Sequence, residues 1–188
     1  MIQIRQGVFE TNSSSTHSIV IPKKTDKTAQ YIEFHIGEYG WENEKVLDTP
    51  SYLYTAILYT ETKDGAVEKI QRIKDVLNAH GIGYSFEKPK YDNRYYDYEY
   101  LDNGYIDHGN ELCNFIDTIL DDEDMLLRYL FDGVVYTGND NQDEQPAGCN
   151  IASDGYWKYY KDGDDWKEKW ADNPYHDEDN YDYFYKGN

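Results

Sequence analysis

Twenty-one of the 188 residues are tyrosine, and that choice limits the core this chain can build. A tyrosine ring packs like any large apolar group, but its hydroxyl needs a hydrogen-bond partner once buried. The apolar fraction, 39%, lies below the usual range for globular domains, and tyrosine supplies much of it. The expectation is a modest core inside an aromatic, half-polar shell. The length suits one domain, or one domain with an appendage. It is enough to bury a core without metals or disulfides.

Periodicity places the elements. Ile2, Ile4 and Val8 alternate with Gln3 and Arg5, which predicts a strand. A polar break over residues 11–16 follows, then a second short strand over 19–21 ended by Pro22. The two strands are expected to form an antiparallel pair across that break. Lys23–Lys27 reads as a basic loop, and Tyr31, Ile32, Phe34 and Ile36 suggest a third strand. Thr49 followed by Pro50 looks like an N-cap with proline at the first helical position, opening a helix over 51–60. Asp64 is expected to cap a second helix whose Val67, Ile70, Ile73, Val76 and Leu77 share a face, with Gly81 as its stop. A strand over 84–87 follows. Leu112, Phe115, Ile116, Ile119 and Leu120 predict a further helix, another runs over 125–131, and a strand covers 134–137. These elements add up to an α+β fold: a mostly antiparallel sheet against two or three helices, with acidic tyrosine-rich excursions. The excursions fall at 91–107 and beyond 154. The chain divides on composition into an α+β domain over 1–153 and an acidic aromatic extension over 154–188, docked on that domain or on a partner.

The formal charge is −19, against a magnitude of about 2–8 that suits a small soluble domain. Self-repulsion on this scale opposes compaction. Nucleic acid is itself a polyanion, so direct binding to free DNA or RNA is not expected. Plain solubility, cation binding, or docking on a basic protein surface remain. Cys113 and Cys149 lack the paired spacing of a zinc site and form no disulfide framework. Cys113 sits in an apolar helical pattern and reads as a small core residue. A reduced, cytoplasmic protein is expected, with no metal, no cofactor and no membrane span. The N-terminus has neither the basic nor the apolar region of a secretion signal.

Two places could carry chemistry. The first is Asn12, Ser13, Ser14, Ser15 and His17, which concentrate hydroxyls, an amide and an imidazole. They could cradle an anion, or His17 could activate a serine. In extended backbone Ser15 and His17 project to the same side. The plainer reading is a set of Asx and Ser/Thr turns. No nucleophile-elbow or phosphate-loop spacing accompanies them. The second place combines Asp107 and His108 with Asn139 and Asp140. With His17, these could assemble an acid–base or metal site, or serve separately as a capping turn and a strand end. His35 and His176 have no motif around them. Gly37-Glu38-Tyr39-Gly40-Trp41-Glu42 reads as an aromatic corner.

The segment from Arg5 to Ser18, with Gly-Val-Phe-Glu-Thr-Asn-Ser-Ser-Ser-Thr-His-Ser at 7–18, resembles the N-terminus of a largely uncharacterised family of small phage and prophage proteins. Gly40-Trp41-Glu42, Tyr105-Ile106-Asp107-His108 and Thr137-Gly138-Asn139-Asp140-Asn141 resemble further blocks of that family. The resemblance implies a mobile-element origin and names no reaction. Acidic phage proteins often resemble anti-restriction or anti-CRISPR inhibitors that imitate nucleic acid. Alternate carboxylates on an extended strand recur roughly every 6.8 Å, of the same order as phosphates along a strand. Tyrosines between them can stack on arginine. The expected function is therefore an inhibitor on the basic groove of a host defence nuclease, in particular a CRISPR effector such as Cas9, alone or as its guide-RNA complex. The partner-binding acids would be Asp92, Asp97, Glu99, Asp102, Asp121, Asp122, Glu123, Asp124, Asp162, Asp164, Asp165, Asp177, Glu178 and Asp179. The alternative is a small enzyme or phosphorylated-ligand binder built on Asn12–His17.

Overall fold

The computed structural model describes residues 15–40, 44–92, 100–139 and 155–186. Its centre is an antiparallel sheet of four strands: β1 (Ser15–Pro22), β4 (Glu44–Val46), β9 (Val134–Asn139) and β12 (Tyr181–Lys186), in the order β12-β1-β9-β4. β1 is central, paired with β12 through 17–22 and with β9 through 15–20. The expected partner of β1, the segment around Ile2–Val8, lies outside the described residues. Among the described residues, β1 takes β12 and β9 as its neighbours. β1 also begins at Ser15, so Ser15 and Thr16 belong to a buried strand rather than to a turn.

The two faces of this sheet are built differently. On one, Ile19, Ile21, Val46 and Val135 join a single core with four helices. These are α1 (Thr49–Thr60), α2 (Lys63–Ala79), α3 (Cys113–Asp121) and α4 (Glu123–Asp132). α1 is buried from Thr49 through Leu58, as suits a helix packed on all sides. α2 buries Ala66, Ile73, Val76 and Leu77, while Val67, expected on that face, is exposed. On the opposite face Val20 and Tyr136 pack with Val134, Tyr175, Tyr181 and Tyr183. This is a tyrosine cover, in which the Tyr136 and Tyr175 hydroxyls meet at 2.8 Å.

Short pairs complete the domain. β2 (Tyr31–Phe34) runs parallel to β5 (Gly83–Phe86), and β3 (Glu38–Tyr39) parallel to β8 (Tyr105–Ile106). β6 (Tyr91–Asp92) pairs antiparallel with β7 (Tyr100–Leu101). Helix caps sit one or two residues before the expected positions. Asp48, not Thr49, caps α1 by accepting from Ser51 N; Thr49 Oγ1 instead donates to the Tyr129 carbonyl at 2.8 Å. Thr62, not Asp64, caps α2.

The segment after 154 splits in two. β12 is hydrogen-bonded into the central sheet, with Phe184 stacked edge-on against Phe115 of α3. β10 (Gly155–Asp162) and β11 (Asp165–Asp172) form a separate two-stranded sheet closed by a turn at Gly163. Among the described residues no helix is long and apolar enough to cross a membrane.

Candidate functional site

The fold brings together, around one imidazole, groups from four distant stretches of sequence. His17 is wholly buried on the core-facing side of β1, opposite Thr137 of β9. Its Nε2 lies 2.8 Å from the Asp107 carbonyl and its Nδ1 lies 2.9 Å from the Tyr52 hydroxyl of α1. Ser15, two residues along the same strand face, approaches Nε2 at 3.2 Å and donates to the same Asp107 carbonyl at 3.0 Å. Gly40, at φ 95°, covers the ring. A side-chain carbon there would sit 2.9 Å from His17 Cε1 and 3.1 Å from Asp107 Cβ.

These contacts fix the chemistry. A carbonyl oxygen can only accept, so the Asp107 contact requires a proton on His17 Nε2. Nδ1 then accepts from the Tyr52 hydroxyl. With its Nε2 already protonated and facing Ser15 Oγ, the imidazole does not act as a base towards that serine. Ser15, for its part, gives its proton to the carbonyl. The Asp107 carboxylate faces elsewhere, accepting from the Tyr105 hydroxyl at 2.5 Å. His17 is thus a keystone joining β1, α1 and the Asp107 turn.

The neighbours are tyrosines held neutral. Burial, then Asp48 and Glu44, push the Tyr39 hydroxyl up to about 12, and burial raises Tyr52 and Tyr129 well above the ordinary tyrosine value. Tyr39 and Tyr52 meet edge to face at 5.2 Å. The Tyr129 hydroxyl is buried and has no hydrogen-bond partner among the described residues.

His108 adopts a left-handed backbone, φ 50°, at the start of a short 3-10 turn over Gly109–Leu112, without a side-chain cap. It is exposed, so the second imidazole does not join the buried cluster. Asn139 lies opposite Ser15 in the β1–β9 register. Asn12, Ser13, Ser14 and Asp140 lie outside the described residues. Among the described residues, no group of His, Cys, Asp and Glu is arranged to hold a metal ion.

The acidic candidates separate into carboxylates that have hydrogen-bond or ion-pair partners among the described residues and carboxylates that stand exposed. Asp122 caps α4 through Met125 N at 2.9 Å. Glu123 meets His80 Nε2 at 2.8 Å. Asp124 and Asp182 clamp Arg128, which also donates to the Pro22 carbonyl. Asp177 accepts from the Asn180 side chain and from Asp179 N, which lowers its pKa. Tyr183 donates weakly to Glu178 at 3.5 Å, and Asp162 pairs with Lys167. Asp102, Asp121, Asp164, Asp165 and Asp179 stand exposed. Asp92 lies in β6, and Asp97 and Glu99 lie outside the described residues.

The β10–β11 arm was the least legible feature in the sequence. Pairing runs Trp157↔Trp170, Lys158↔Lys169, Tyr160↔Lys167, Lys161↔Trp166 and Asp162↔Asp165. Cross-strand partners share a face and alternate residues share a face. One face therefore carries Trp157, Lys161, Trp166, Glu168 and Trp170; the other carries Lys158, Tyr160, Lys167, Lys169, Asp162 and Asp165. The tryptophans are 55%, 64% and 47% exposed at 157, 166 and 170. The alternation of Trp, Lys and Asp over 157–170 is the signal that marks the arm, but the same stretch shares its acidic, aromatic composition with β12.

Comparison with protein-family models, with curated proteins and with solved structures found no match.

Proposed function

We propose that this chain is an acidic inhibitor that covers the basic nucleic-acid groove of a nuclease by docking as a protein, without chemistry of its own. The observation that supports this reading most is the β10–β11 arm. It is a separate two-stranded sheet with three exposed tryptophans, and its tip carries Asp162, Asp164 and Asp165 within four residues. Exposed aromatic side chains gathered on one face mark interaction sites, and tryptophan is among the residues most enriched at binding hot spots. The net charge of −19 selects a basic partner and repels free nucleic acid. A CRISPR effector, alone or with its guide RNA, is the class proposed. The buried, proton-donating His17 weighs against the alternative reading of an enzyme built on Ser15 and His17.

The test is plasmid interference in bacteria carrying an active CRISPR nuclease. Expression of the chain should restore plasmid establishment, and the Asp164→Lys/Asp165→Lys variant should restore it far less. His17→Gln, if folded, should behave like wild type. Loss of protection with His17→Gln while the charge reversal is harmless would reverse the assignment.

A further inference from the structure

Although the chain is strongly acidic, the arm's own charge is nearly balanced. Its four lysines almost match its five carboxylates, so the rest of the chain holds eighteen of the nineteen excess negative charges. Electrostatic attraction therefore belongs mainly to the body, and the arm must contribute something else.

What it presents is an ordered aromatic platform. Trp157 and Trp170 sit edge to face with centroids 5.4 Å apart. Gly155 has no side chain where the Trp170 ring lies; a carbon placed there would be 2.4 Å from the ring. The ring is thus seated by the strand beneath it. The arm's aromatic faces already receive cations from the chain itself. Lys161 Nζ lies 5.4 Å from the Trp166 centroid and Lys169 Nζ 5.8 Å from that of Tyr160. On the opposite face, Lys158↔Lys169 and Asp162↔Asp165 place like charges directly across the ladder, an arrangement that weakens a hairpin. The platform is therefore not a by-product of a strand pair optimised for its own stability.

Resting on the basic-partner reading above, we infer that the Trp157/Trp166/Trp170 face is an arginine-stacking surface that recognises a guanidinium-rich protein groove. Arginine fits because its planar, weakly hydrated cation stacks on indole, whereas lysine keeps its hydration shell as a point charge. A nucleic-acid base could also stack on indole, but its phosphates would meet the strongly acidic body. Discrimination between arginine and lysine separates this surface from simple charge attraction, which treats the two alike.

The experiment measures anisotropy of fluorescein-labelled octa-arginine, octa-lysine and oligo-dT on titration with the full chain at low and moderate salt. Octa-arginine should bind roughly tenfold tighter than octa-lysine. Trp157→Leu/Trp166→Leu/Trp170→Leu should erase that preference while leaving the common, salt-sensitive component. Trp166→Leu alone, which leaves the Trp157–Trp170 pair intact, should reduce the preference in part. Oligo-dT should not bind. Equal binding of the two cationic peptides overturns the inference and leaves the basic-partner reading standing. Failure of either peptide to bind overturns both. A preference that survives the tryptophan variants, or binding of oligo-dT to wild type that they abolish, also overturns the inference.

Discussion

His17 commits both ring nitrogens inside the protein, one to the Asp107 carbonyl and one to the Tyr52 hydroxyl. Removing it loses both bonds, leaves a void in the core and takes the acceptor from the buried Tyr52 hydroxyl, while the Asp107 carbonyl keeps its bond from Ser15. His17→Ala should therefore cost about 2–4 kcal/mol, read as a lower urea midpoint with an unchanged slope; a loss below about 0.5 kcal/mol contradicts the keystone role. Tyr129 offers the opposite case. Its hydroxyl is buried without a partner among the described residues, so Tyr129→Phe should hold or raise stability, by up to about 1 kcal/mol. Alkaline pH probes two further tyrosines, Tyr39 beside Tyr52 and Tyr54 against Phe34 and Phe86. Tyr39 and Tyr54 have folded pKa values raised from 10.0 to about 12, chiefly by burial. The unfolded chain ionises first. Stability is therefore intact below pH 10 and falls as pH rises towards 12, with circular dichroism reporting the loss. The sequence put Ser15, His17 and Asp107 forward as candidates because their residue types carry chemistry. It could not say which atom of Asp107 meets the ring, and the role turns on that atom.

At the scale of elements, the helices were legible because their apolar periodicity and caps are local signals. Cap identity was less so. Asp48 and Thr62 compete with equally suitable neighbours at Thr49 and Asp64, and only the backbone angle decides. Strand pairing was legible only in part, since it depends on segments far apart: β1 takes its neighbours from 134–139 and 181–186. The acidic run at 121–124 contains both kinds of carboxylate, which gives a direct test. Asp122→Ala removes a cap bond and should cost about 1 kcal/mol. Asp121→Ala, an exposed position, should change stability by less than about 0.5 kcal/mol. Both values follow from chemical denaturation.

Taken as a whole, the molecule divides its labour between a tyrosine-clad domain that closes on His17 and an arm that leaves its tryptophans in solvent. The tail read from composition as one acidic unit serves both: β12 completes the sheet and β10–β11 departs from it. Composition averages over such a division, which is why the boundary between them was not visible. Replacing Gly155–Asp172 with a short glycine-serine linker should keep the thermal midpoint of the domain within a few degrees while weakening partner capture and leaving its salt-sensitive part. The proposed seating of the acidic body and its aromatic arm on a basic nucleic-acid-binding protein is tested by affinity capture from bacterial extract, eluted in steps of rising salt and identified by mass spectrometry. Basic nucleases should be retained at low salt, released as salt rises, and retained less by the Asp164→Lys/Asp165→Lys variant. Nothing retained at low salt, or partners that are acidic and indifferent to salt, would contradict it.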